Sequence, residues 1–402
     1  MKKHRDRPEN DTPLSEGRVE YLAAAQARAR GKRVRRTVAL VALLTALVLV
    51  ATGWLGQSVT LVKDCIDTAR IALAPGPGWP QQTGVMELAR LAPMTGGFVE
   101  LGGDSCVVYA RTGTRLNAIQ SGYARPALAA GKTRFVLYNR SGNELRVESR
   151  TQNLYTKTLE NSIFLCAMSD NGTLAVVTDS TASMAQLLVY SPDLEQELRW
   201  EMSSGDGTPL RMAFSPDSRR LAAAAVTSSG GQMQTNLYVL TLAQGEPLNV
   251  GSQGGVPQWV GWLSANTLLA VYDDTAVLYN AGGGERARYD FGGQSLRDIS
   301  VDGSGNVALL LASGQICQLV TLDKNLTVQY SGVVSASNKV VRAGNAVYRL
   351  TDSSVECETA AGEHQWTQTL AARPQALLAD AKQILVFCGN TVQTVAAPKE
   401  QS

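Results

Sequence analysis

The side chains able to do chemistry are few in this 402-residue chain, and they are scattered. It has two histidines, His4 in a basic N-terminal tail and His364 far downstream. One histidine beyond the tail cannot build a histidine metal cage, and it leaves little for a Ser-His-Asp relay. Beside Glu363 and Trp366, it reads as a solvated turn residue. Gly131-Lys132-Thr133 resembles the end of a phosphate-binding loop, but Pro126 stands where that loop needs its first glycine, and Phe135-Val136-Leu137-Tyr138 reads as strand rather than helix. Asp302-Gly303-Ser304-Gly305-Asn306 alternates oxygen ligands as a calcium loop does, yet lacks the later bidentate acid and reads as a turn. The glycine-rich stretches at Gly283-Gly284 and Thr227–Gly231 also read as turns. No cofactor motif is found. The six cysteines (65, 106, 166, 317, 357, 388) include no CxxC pair, and five sit in apolar runs, which predicts buried free thiols.

Two polar patterns remain as binding candidates. An acid or amide recurs in one kind of turn: Asp104, Asn139, Asp179, Asp273 with Asp274, Asp352 and Asn390. Asp and Asn are favoured in turns for conformational reasons alone. In function, the same residues would form a mildly acidic face that recruits a basic partner. The competing patch is Arg125 and Arg140 with Tyr123, residue types enriched where proteins bind tightly.

The elements that must position these residues are short apolar runs separated by turn residues. Cys166–Val177, Met212–Ala223, Val260–Val271 and Asp298–Leu309 each read as strand, tight turn, strand. A second spacing of ten residues recurs: Tyr109/Ile119, Leu145/Tyr155, Tyr190/Trp200, Leu240/Val250, Tyr279/Tyr289, Val320/Tyr330, with Glu356/Trp366 keeping only the interval. Strands in fours at a period near 40 residues predict an all-β fold, a β-propeller of four-stranded antiparallel blades. First strands fall near Leu88, Leu128, Cys166, Met212, Trp259, Ile299, Val340 and Leu377, giving eight blades, or seven if Met86–Gly122 pairs differently. The last unit supplies three strands, so Trp79-Pro80-Gln81-Gln82 is expected to close the ring, with Trp79 in the aromatic position of Trp200 and Trp366.

Charge and hydropathy set the expected location. Residues 1–36 carry 11 Lys/Arg and five acids, a net of +6, while the remainder carries 26 basic and 30 acidic residues, a net of −4. Six of those cations crowd into Arg28–Arg36, just before the uncharged 19-residue run Val38–Gly56. As a helix that run spans about 28 Å, close to a ~30 Å hydrocarbon core. The sequence therefore predicts a single-pass cell-membrane protein: cytoplasmic tail 1–36, membrane helix 37–56, helical stalk and Pro/Gly joint 57–78, extracytoplasmic propeller 79–397 and a tail 398–402. A cleaved signal peptide fits less well, because the leader is long and the apolar run exceeds a usual signal core. The basic cluster can also touch anionic lipid. Nucleic-acid binding is not expected, since the tail is too short to form a basic surface.

Gly122-Tyr123-Ala124-Arg125-Pro126, Leu137-Tyr138-Asn139-Arg140-Ser141-Gly142 and Leu145-Arg146-Val147 carry a resemblance. Over residues 35–397 the chain resembles an uncharacterised domain-of-unknown-function family of bacterial, single-pass, membrane-anchored β-propellers of WD40-like or quinoprotein-like type. The resemblance implies fold and location and transfers no functional residue. With no catalytic constellation in view, the expected function is a protein-interaction or cell-envelope scaffold module rather than an enzyme. The alternatives are a ligand sensor of the cell surface and, less well supported, an extracellular hydrolase or lyase.

Overall fold

A computed structural model describes residues 66–71, 73–380 and 383–396. The membrane run Val38–Gly56, the basic cluster Arg28–Arg36 and Cys65 lie outside the described residues. Among those that are described, no helix is long and apolar enough to cross a membrane.

The chain from residue 81 forms eight four-stranded antiparallel sheets. Seven are built from consecutive strands, beginning with blade 1 (Arg90–Met94, Gly97–Leu101, Ser105–Ala110, Arg115–Gln120) and blade 2 (Pro126–Ala130, Arg134–Asn139, Glu144–Ser149, Asn153–Thr158). Blades 3 to 7 begin with Ile163–Met168, Thr208–Phe214, Trp259–Ser264, Ser295–Val301 and Lys339–Ala343. The eighth joins Ala376–Ala379, Ile384–Cys388 and Thr391–Val395 to Gln81–Gln82, which comes from the other end of the chain. Gln81 pairs with Val392 and Gln82 with Thr391, and the Thr83 amide donates to the Asn390 carbonyl at 2.7 Å. The eight-blade count and the closing segment read from sequence are thus both observed. The first strand of blade 1 starts two residues later than Leu88.

Why these residues make blades follows from burial on both faces. Second and third strands are packed between neighbouring blades, so Gly97–Leu101 and Leu174–Thr178 are buried at every position. Such strands read as continuous apolar runs rather than alternating ones. Fourth strands lie at the rim and alternate, as Glu285–Asp290 does. Each ten-residue pair spans a third and a fourth strand of one blade. Rim aromatics reach across to the next blade: Trp200 packs edge-on against Tyr238 at 5.0 Å, and Trp79 tilts onto Tyr109 at 6.0 Å. Trp79 therefore occupies the seam position that Trp200 holds between blades 3 and 4. Trp366 differs, since it meets Tyr348 of its own blade.

First strands of most successive blades contact one another and line the central channel. Antiparallel pairing places the start of each first strand beside the turn between strands two and three, as Pro126 opposite Asn139 shows. Its end lies beside the turn between strands one and two. The ring thus has two faces, and the incoming chain sits on the second. Residues 66–71 are helical, Ile71 is buried, Arg150 Nη2 donates to Thr68 Oγ1 at 2.7 Å, and Thr151 donates to Asp67 at 3.3 Å. The Pro/Gly joint is pinned rather than loose. The Gly78 amide donates to Thr112 O at 2.9 Å, Trp79 Nε1 donates to Arg111 O at 2.9 Å, and a β-carbon at Gly76 would collide with Thr112.

Candidate functional site

The repeated acids do fall on one face, that of the turns between second and third strands, but most are occupied in holding the turns. Asp273 accepts from the Val256 amide at 2.8 Å and from Gln258 Nε2 at 2.6 Å. Asp352 accepts from Asn338 at 2.9 Å and pairs with Arg373 at 2.8 Å. The Asp179 carboxylate takes the Ser180 amide at 2.8 Å, and Asn139 Oδ1 takes the Arg125 amide at 3.2 Å. Asp104 and Asp274 contribute their backbone carbonyls, to Ser121 and Phe291. Asn139, Asp273 and Asp352 secure the segment that enters their own blade's first strand, Asp104 and Asp274 the segment that leaves its fourth, and Asp179 its own turn, so the structure gives these residues a turn-building role. Asn390 does the same for the closing strand through its carbonyl.

The motifs set aside in the sequence behave in the same way. Asp302 Oδ1 accepts from the amides of Ser304 and Asn306 at 2.8 and 2.9 Å, leaving a closed turn. Lys132 pairs with Asp170 at 2.7 Å, and His364 opens an exposed fourth strand. Among the described residues no group of three or more His, Cys, Asp or Glu could hold a metal ion. Five cysteines are free and buried. Burial pushes the Cys106 thiol up to about 12 and raises that of Cys166 as well, so neither ionises to a nucleophilic thiolate near neutral pH. The Thr227–Gly231 stretch is the tip of an extended hairpin. Strands Arg220–Ser229 and Gln232–Thr241 of blade 4 run ten residues each, joined at Gly230-Gly231 with φ of 59° and 79°. Such positive angles suit a two-residue turn that follows strand twist.

The arginine patch has a different environment. Arg125 precedes the first strand of blade 2 and Arg140 follows its second strand; both are exposed and line the channel mouth on the face of the acid turns. Tyr123, half-buried, packs into the core between blades 1 and 2, and burial raises its phenol. Two arginines that sequence reading missed join them: Arg90, at the start of blade 1, and Arg211, in the first strand of blade 4. The four line one cavity of about 900 Å³ that runs down the channel between the first strands of blades 1 to 5. Arg211 donates Nε to Gln258 O at 2.8 Å and Nη1 to Leu210 O at 2.9 Å, while Arg140 reaches the Tyr138 phenol. Partial burial, followed by the positive charges of Arg140 and Arg90, lowers the pKa of Arg211. Among the described residues none of the four has a carboxylate partner, and the one acid of that cavity, Asp170, is held by Lys132. A signal for Arg211 was available in the sequence, as a single cation between Leu210 and Met212 inside an apolar strand.

Exposed apolar side chains gather on the same face. Of ten large ones among the described residues, six (Met86, Met184, Leu210, Met233, Ile316 and Val333) lie at the turns or strand ends of this face. Met233 flanks the tip of the long blade 4 hairpin, and Val333 is the most exposed of the six at 74%.

Solved structures match the whole ring in shape. BamB from Moraxella catarrhalis aligns with a TM-score of 0.53 at 13% identity, over 79% of this chain and 100% of that one. The C-terminal WD40 domain of Sif2 gives 0.55 at 13% identity over 80% and 99%, and apo AztD from Citrobacter koseri 0.53 at 9% over 71% and 87%. At such identities the likeness is one of fold. No curated protein sequence matches the chain. Residues 82–315, more than half of the chain, match the model of a family of unknown function, DUF5711, and the protein belongs to that family.

Proposed function

We propose that the protein is a membrane-tethered interaction module that docks an acidic protein partner on the arginine-bearing face of its propeller. One observation carries this reading: four guanidinium groups that meet no carboxylate among the described residues share a face with six exposed apolar side chains. Apolar surface supplies most binding energy, and arginine and methionine are over-represented where partners dock. Residues 66–78 meet the ring on the opposite face, so they leave the docking face uncovered. The tether itself is the uncharged run Val38–Gly56, with the tail inside and Arg28–Arg36 against anionic headgroups. In this reading the propeller is a cell-envelope scaffold and not an enzyme.

Photo-crosslinkers placed at Met184 and Met233, and in separate variants at Lys324 and Thr112 on the other face, test it in intact cells. Discrete adducts from the first pair, weakened by Arg140→Gln, are expected. Equal labelling from both faces, or adducts that ignore Arg140, would contradict it.

A sensor reading gains support from one feature, the pinned segment between helix and ring, which could pass a change at the ring toward the tail. Deleting residues 1–30 separates the two: a scaffold keeps its crosslinks and its cellular effect, and a sensor keeps only the crosslinks.

A further inference from the structure

The structure assigns the channel mouth formed by Arg90, Arg125, Arg140 and Arg211 as a binding site for an extended, carboxylate-rich peptide segment; this deepens the docking reading above and rests on it. Like-charged groups are gathered here at a cost in self-repulsion, and among the described residues no acid pairs with them. The other end of the channel is different. A second cavity of about 770 Å³, lined from blades 1, 6, 7 and 8, holds two arginines and two aspartates, matched as Arg111–Asp380 and Arg342–Asp302. The fold therefore neutralises channel charge in one place and leaves it available in the other.

Three properties select a peptide. The first strands of blades 2, 3 and 4 are edge strands of their sheets, so their channel-side N–H and C=O groups have no strand partner. Unpaired edges of this kind hydrogen-bond an extended backbone. Between the arginines the small side chains of Ala127, Ala129 and Ala130 leave room for those of a peptide. With 5–7 residues per first strand, the channel is roughly 16–23 Å deep at ~3.3 Å per residue. Guanidinium groups clamp carboxylates in bidentate fashion, which fixes register as well as affinity. A nucleic acid fits less well, because the chain from residue 37 on carries a net charge of −4, and of the aromatic residues lining the cavity Tyr138 is buried and Phe214 ends its strand, which leaves Trp259 near the mouth.

The test uses the full chain in detergent and a fluorescent peptide of alternating Glu and Ala, read by anisotropy. Saturable binding is expected, weakening as salt rises, and falling at least ~tenfold in Arg140→Gln/Arg211→Gln and several-fold in Arg125→Gln. Arg140→Lys should recover only part of the loss, since a single ammonium cannot form the bidentate pair. A Gln-Ala peptide that binds as well as the Glu-Ala peptide overturns the proposal. So does unchanged binding in folded variants, or competition by inorganic phosphate strong enough to show a small-anion site. If the Glu-Ala peptide fails while crosslinking from Met184 and Met233 persists, the docking face stands and the arginine assignment falls. If both fail, the docking reading falls with it.

Discussion

The two ends of the central channel are both lined by first strands, of blades 1 to 5 at one and mainly of blades 6 to 8 at the other, but solve the charge problem in opposite ways. On the face that residues 66–78 meet, Arg342 is almost wholly buried and donates to the carbonyls of Val307 and Leu322 at 2.9 Å and to Gln329 Oε1 at 2.7 Å, with Asp302 nearby at 3.9 Å. It joins blades 6 and 7. On the far side, Arg90, Arg125 and Arg140 stand exposed, and Arg211 bonds two carbonyls; among the described residues none of the four meets a carboxylate. A charge that closes the ring is recognised by its counter-charge, and a charge kept for a ligand by the lack of one.

The largest effect that would break the comparison is on stability. Replacing Arg342 by Leu strands two buried carbonyls and an aspartate, and should cost about 3–5 kcal/mol in urea unfolding. Arg140→Gln and Arg125→Gln should each change stability by less than about 0.5 kcal/mol. Equal costs at the two ends would remove the distinction.

Beneath the arginine face one carboxyl exists but does not serve as their counter-charge. Glu100 of blade 1 is 1% exposed, has one oxygen without a partner and meets Thr83 of the closing segment. Burial pushes it up to about 7, against 4.5 for a free glutamate. The folded protein therefore holds a proton that the unfolded chain has released between those pH values. Stability should be highest below pH ~4.5 from this group, decline as pH rises to ~7, and level off having lost about 3 kcal/mol. Glu100→Gln should flatten that part of the pH–stability profile and raise stability at pH 8. An unchanged profile would show that Glu100 ionises freely and can neutralise its surroundings.

A smaller effect sharpens the same contrast. Arg211→Gln removes a repelled cation from the open mouth and should raise stability slightly, by no more than about 0.5 kcal/mol, while lowering affinity for the acidic peptide. Met233→Glu should leave thermal unfolding within error and weaken crosslinking from Met184, because the side chain is 54% exposed.

The ring itself was legible in the sequence because each blade repeats one chemical instruction. Two apolar strands flank a polar turn, and ten residues separate the packed positions of strands three and four. The closing role of Gln81-Gln82 followed from an incomplete last unit. The arginine mouth was half legible. Arg125 and Arg140 belong to one blade and sit close in sequence, whereas Arg90 and Arg211 come from blades 1 and 4 and meet them only because the ring closes. Glycine proved ambiguous for a physical reason. At Gly76 its missing side chain serves close approach to Thr112, so Pro75-Gly76-Pro77-Gly78 reads as a joint in sequence and is a fixed contact in the fold. The tip at Gly230-Gly231 extends two long strands rather than ending short ones.

The central claim, that the arginine-bearing face and its channel receive the ligand, is tested most directly by amide hydrogen exchange. The full chain is compared with and without the Glu-Ala peptide. Protection should appear in the first strands of blades 2 to 4 (residues 126–130, 163–168 and 208–214) and at the turn after Asn139, and vanish in Arg140→Gln/Arg211→Gln. Protection confined to the opposite face, around Thr95, Lys132 and Thr112, would contradict it.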